Sequence, residues 1–205
     1  VCNAVSGALA FGLLVYLATV FGSRLARLGD RRRTPAAQAL RIALCAAGAV
    51  AGGTLLAHGV SPATIFALAI LCAALGATCF LAALDSSVPV AIPGTALAIL
   101  IGAALLGGDS GPMISACAIG APFAITAVFA RGSGSDWHDA VVAALGGAAF
   151  GLQVGLLAAG FACLGLALAR PYLARLRSQP RPPARFASAL AATFMVVLIG
   201  RLAIS

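Results

Sequence analysis

After Asp139 the chain reads AVVAALGGAAFGLQVGLLAAGFACLGLALA over 140–169, and then RPYLARLRSQPRPPAR over 170–185. The first of these stretches is about 30 apolar residues long, interrupted only by Gln153. A helix crosses the hydrocarbon core of a bilayer with about 20 residues, so the run is either one long tilted helix or two short ones. Charge decides between them. Arg170, Arg175, Arg177, Arg181 and Arg185 follow the run, and basic connecting segments stay on the cytoplasmic side. The segment before the run, 131–139, falls on that side too by alternation of the earlier spans. A chain that starts and finishes on one side has crossed an even number of times. The sequence therefore predicts two short helices, 140–151 and 153–169.

Composition points the same way for the whole chain. Of 205 residues, 62% are hydrophobic, and 18 carry formal charge, 13 of them Arg and 5 Asp, with no Lys or Glu. Mean hydropathy is +1.08. Soluble domains carry about 25% charged residues, and this chain has 9%, too little to cover a globular surface. A soluble enzyme, a disordered tail and a collagen-like fibre are excluded. The fold class expected is an all-α polytopic membrane helical bundle, with the lipid bilayer as its solvent. Net charge is +8, but the Arg residues cluster at the ends of apolar runs, where they set topology. No nucleic-acid partner is expected, because there is neither a soluble basic face nor aromatic interleaving.

Working outward from 140–169, the apolar runs give eight spans at about 4–22, 36–57, 63–84, 90–106, 113–130, 140–151, 153–169 and 186–204, forming one transmembrane domain with both termini outside. The first run has no basic stretch before it and Arg24, Arg27, Arg31, Arg32 and Arg33 after it, so it reads as a retained span rather than a cleaved signal. Arg41 is expected to snorkel from the cytoplasmic end of the second span. Six Cys are present, none in a C-x-x-C pair, so no metal or disulfide framework is expected and the thiols read as packing residues. Gly48/Gly52, Gly147/Gly151 and Gly151/Gly155 are small-xxx-small pairs that let helices approach.

Charged groups in an apolar bundle are costly and form the shortlist for function. Asp30 lies in the Arg-rich segment and is expected to pair locally. Asp109 lies in an outer turn as a solvated residue. That turn, Gly108-Asp109-Ser110-Gly111, is the string around a serine-protease nucleophile, but the only histidines are His58 and His138, with His138 on the opposite side, and a triad needs its members within hydrogen-bond reach. Asp85, Asp136 and Asp139 fall together on the cytoplasmic side. Two carboxylates brought together there would share one proton: the ionised one acts as general base on water, the neutral one donates to a scissile carbonyl. The competing reading is that each Asp caps the start of its helix.

The same region resembles the type IV prepilin peptidases, membrane aspartic proteases that remove leaders from pilin-like precursors. The family's first aspartate precedes an [Ile/Leu]-Pro at the start of a span; here Asp85 is followed by Ile92-Pro93-Gly94, one residue further on. The second lies in Gly-x-Gly-Asp-x-Lys before small residues and Gly-x-x-x-Gly; here the region reads Gly132-Ser-Gly-Ser-Asp136-Trp-His-Asp139, leading to Gly147 and Gly151. Asp136 has the glycines shifted by one place, with His138 where the family has Lys. Asp139 keeps the family's distance to Gly147 and Gly151, with His138 in place of the preceding glycine. The resemblance covers about residue 71 to the C-terminus and includes the Pro-rich basic segment before the last span.

It implies an aspartic endopeptidase in the bacterial inner membrane that cleaves a pilin-like precursor at the cytoplasmic face, using Asp85 and either Asp136 or Asp139, without cofactor or metal. The segment 23–35 is too short for the Cys-rich methyltransferase insert of bifunctional members. The alternative is a non-catalytic membrane protein: an inactive relative, a subunit of a secretion or pilus apparatus, or a small transporter. Trp137 is expected to anchor at the lipid interface, and His138 either tunes a neighbouring carboxylate or sits at that interface.

Overall fold

The computed structural model describes residues 2–25, 34–57, 62–84, 89–129, 137–176 and 186–204. Among them are seven helices: α1 (Cys2–Leu25), α2 (Pro35–Ala57), α3 (Pro62–Ala83), α4 (Ala91–Leu106), α5 (Gly111–Phe129), α6 (Trp137–Leu176) and α7 (Phe186–Ile204). The protein is an all-α, multi-pass membrane bundle. Eight spans is a count the structure corrects: α1, α2, α3, α5 and α6 are long and apolar enough to cross a bilayer, while Ala91–Leu106 and Phe186–Gly200 are shorter apolar helices. The physical reason is length: α4 has 16 residues and the apolar part of α7, Phe186–Gly200, is shorter still, against about 20 for a full crossing. The two runs expected at 140–151 and 153–169 are two helices that meet at a kink at Gly151, and the second continues to Leu176, into the segment whose Arg content suggested a loop.

Local chemistry sets the helix starts. Proline stands at the first position of α2 and α3, where its missing N–H costs nothing and its fixed φ suits the helix. Thr34 caps α2, its hydroxyl accepting from the Ala37 N–H at 3.3 Å. α4 stops at Gly107-Gly108, where Gly108 takes φ +77° and the Asp109 N–H bonds back to the Ala104 carbonyl at 2.9 Å, satisfying a terminal carbonyl. The Asp109 carboxylate then accepts from the Gly111 N–H at 2.8 Å, at the start of α5. It is exposed in its turn, as expected.

The contacts divide the chain into two compact units, residues 1–92 with 195–205, and residues 93–194. In the first, α1 packs against both α2 and α3. Gly12 of α1 meets Cys45 and Ala49 of α2, while Gly52 meets Gly7 and Phe11, so α1 and α2 run antiparallel. Val15 touches Gly76 and Gly22 touches Leu81, so α1 and α3 run parallel. Gly48 and Gly52 thus do the packing work expected of them. Ala37, Phe80, Leu81 and Ala82 form a buried cluster with Leu40, Leu44, Leu84 and Ile92 around it.

In the second unit α5 packs along α6. α6 is broken at Gly151, whose φ of 78° and ψ of 174° are not helical and belong to a region open essentially to glycine alone. The break is sharp. Eight residues of straight helix span about 12 Å, yet a Cβ placed on Gly155 would lie 3.3 Å from the Gly147 Cα. The chain therefore folds back on itself around Gly151. Gly151 has no atom within 4 Å of a Cβ position, so it serves the turn and not helix packing, which corrects its reading as half of a packing pair. Gly147 does pack: a Cβ there would sit 2.5 Å from the Ser115 carbonyl oxygen of α5. Phe194 of α7 lies across Gly146 and stacks on Phe150, with ring centroids 5.7 Å apart.

Candidate active site

Asp139 occupies the first turn of α6. It is 1% exposed, the only acidic side chain among the described residues that is buried. An acidic group this deep requires hydrogen-bond donors, and the fold supplies one from 48 residues away: the Ala187 N–H donates to Asp139 Oδ1 at 2.6 Å. Ala187 is the second residue of α7 and is itself 1% exposed. Its N–H belongs to the opening turn of a helix, where no intrahelical acceptor exists. The carboxylate of one helix thus caps another, and it sits where two helix N-termini present the positive ends of their dipoles.

The surroundings are apolar. Val142 and Ala143 are fully buried one turn further along α6, and Ala140 is 6% exposed. Phe186, at the start of α7, meets the Phe123 ring of α5 edge-on, with centroids 6.5 Å apart. The fold-back at Gly151 also brings Cys163, from the second arm of α6, within electrostatic reach of Asp139; along a straight helix the two would be about 36 Å apart. Asp139 therefore stands at the meeting of both arms of α6 and the start of α7. A buried carboxylate held by a backbone N–H can cap a helix, and with a second carboxyl beside it can exchange a proton with water.

The remaining sequence candidates separate clearly. Trp137 is 57% exposed at the first residue of α6, and His138 beside it is half-buried. Asp85 and Asp136, the other two candidate carboxylates, lie outside the described residues, as do Asp30 and His58. α3 keeps helical hydrogen bonding to the residue before Asp85, with the Leu84 N–H bonding to the Phe80 and Leu81 carbonyls. Among the described residues, no group of three His, Cys, Asp or Glu side chains could hold a metal ion. Cys72 and Cys79 are buried and Cys45 and Cys163 half-buried, while Cys117 is exposed on α5.

Two features escaped the sequence. The donor to Asp139 is a backbone N–H of an alanine, which no side-chain pattern marks. Arg41, on α2, packs against two aromatic rings: its Cζ lies 4.7 Å from the Phe80 ring centroid and 5.7 Å from that of Tyr16, and its Nε and Nη2 are buried without a hydrogen-bond partner among the described residues. The two aromatic residues come from two other helices.

No family model, curated protein or solved structure matches this chain.

Proposed function

We propose that the protein is a membrane aspartic endopeptidase of the prepilin peptidase kind, with Asp85 and Asp139 as its carboxylate pair. The observation that carries this reading is the buried Asp139 in the first turn of α6, in a chain with only five acids. Support comes from its downstream glycines. Gly147 and Gly151 stand at the distances that the resemblance associates with the second aspartate. One meets a backbone carbonyl where a Cβ would go, and the other holds a glycine-only conformation. Asp139 is accordingly preferred to Asp136.

In the reaction, one carboxylate of the pair is ionised and takes a proton from water as the water oxygen attacks the scissile carbonyl carbon. The other, protonated, gives its proton to the carbonyl oxygen. The tetrahedral diol collapses, the C–N bond breaks, and the amine leaves with a proton returned by the pair. No metal or cofactor takes part. The substrate is the leader of a pilin-like precursor, whose apolar helix lies beside the spans at the cytoplasmic face of the bacterial inner membrane.

The test is processing of a co-expressed prepilin by wild type, Asp85→Asn, Asp136→Asn and Asp139→Asn. Processing is expected to be lost in Asp85→Asn and Asp139→Asn and kept in Asp136→Asn. Asn at 139 retains an oxygen for the Ala187 N–H but cannot exchange a proton, so the cap survives while the chemistry does not. Wild-type processing by a folded Asp139→Asn protein refutes the assignment. One observation favours a second reading, a non-catalytic membrane protein in which Asp139 only caps α7: the hydrogen bond to Ala187. That reading expects no processing by wild type either, with a cognate precursor present.

A further inference from the structure

Arg41 carries a feature that neither helix capping nor peptide cleavage uses. It lies on α2 six residues past Pro35, about 9 Å along the helix axis from the helix start. Phe80 and Tyr16 flank its guanidinium at 4.7 and 5.7 Å from their ring centroids. The two nitrogens without partners are Nε and Nη2. Their N–H bonds lie side by side along one edge of the planar guanidinium. This edge is the fork that binds two oxygens of a phosphate or carboxylate at once.

Arg41 as a whole is half-buried, but two buried guanidinium nitrogens with their fork unpaired are costly, and in a membrane such a group marks an anion partner. Among the described residues of this unit there is no carboxylate to supply one: Asp109 and Asp139 belong to the other unit. The surface of α2 around Arg41 carries both polar and apolar exposed residues. Gln38, three residues before Arg41 on the same face of α2, is exposed, as is Thr34 at the helix start. Ile42, next to Arg41 on α2, is 69% exposed. Of the two rings, Phe80 is fully buried and fixed, whereas Tyr16 is 45% exposed and can swing aside to admit a headgroup.

We propose that the Nε/Nη2 edge of Arg41 is a binding site for the phosphate of a membrane phospholipid, with anionic headgroups preferred, the polar face Thr34–Gln38–Arg41 guiding the headgroup and the exposed apolar residues receiving its acyl chains. The site is independent of the peptidase reading.

Native mass spectrometry of the delipidated protein in detergent, titrated with phosphatidylglycerol or phosphatidylcholine, reads the site directly. Wild type is expected to hold one phosphatidylglycerol more tightly than phosphatidylcholine. Arg41→Lys keeps the charge and loses the fork, and binding should weaken about tenfold, the worth of one charge-assisted hydrogen bond. Arg41→Gln should abolish the site, and Arg24→Gln, an exposed cation on α1, should leave it intact. Equal binding by wild type and Arg41→Lys overturns the proposal, and so does an equal loss in Arg24→Gln, which would mean diffuse charge attraction. Inorganic phosphate alone distinguishes the source: displacement of the lipid by phosphate at comparable concentration would make this a free-phosphate site and overturn the lipid assignment. Arg41→Lys keeps these outcomes readable if Arg41→Gln does not fold.

Discussion

Replacing Asp139 by Ala removes the acceptor of a buried N–H, and the cost follows from the geometry. Asp139 and Ala187 are each 1% exposed, and their hydrogen bond is 2.6 Å long. Water does not reach the Ala187 N–H, and the first turn of α7 offers it no carbonyl. Leaving such a donor unpaired costs about 1–3 kcal/mol. At roughly 2–4 °C per kcal/mol for a chain of this size, Asp139→Ala should melt several degrees below wild type in a fixed detergent. Asp139→Asn keeps an acceptor oxygen and loses only the charge assistance, so it should fall between the two. Hydrogen exchange gives the local readout. The amides of Ala187 and Ser188 should exchange roughly five- to 150-fold faster in Asp139→Ala, while amides in α5 should change less. If melting and exchange at Ala187 are the same in Asp139→Ala as in wild type, the capping contact carries no weight, and the burial of Asp139 loses its structural explanation.

Two further outcomes test the broken helix. Gly151→Ala forces a β-carbon onto φ 78°, ψ 174° and should cost about 1–3 kcal/mol, whereas Gly160→Ala, in regular helix with open space around it, should be neutral or stabilise by up to about 1 kcal/mol; thermal unfolding of the two variants side by side decides it. Gly147→Ala places a methyl 2.5 Å from the Ser115 carbonyl oxygen, a backbone atom that cannot rotate away, and should destabilise by about 1–3 kcal/mol, measurable in the same assay; an unchanged melting temperature would mean that α5 and α6 are not packed as described.

Much of this architecture is legible in order along the chain. The start of α7 at Phe186, the start of α2 one residue from 36, and the end of α4 at Leu106 all coincide with punctuation by Pro, Gly or Arg. The reversal within 140–169 is also legible, because an apolar run too long for one crossing starts on the cytoplasmic side by alternation and is followed there by a basic segment. What the pattern missed is that the second of the two helices runs on to Leu176, past the apolar run and into the Arg-bearing segment. The candidate site was legible only as a shortlist. Three Asp residues on one side could be named, but nothing local marks Asp139 as a buried carboxylate.

Composition and charge placement by themselves determined the class: with 9% charged residues and long apolar runs, the backbone must satisfy its own hydrogen bonds in lipid, and helices do this within a single segment. That constraint is local, so a one-dimensional reading suffices for it. Tertiary structure alone decided which polar groups meet. Asp139 finds its donor 48 residues away, and Arg41 finds Tyr16 and Phe80 on two neighbouring helices. Such pairings depend on helix rotation and close approach at small residues, which the order of residues does not encode at any fixed spacing.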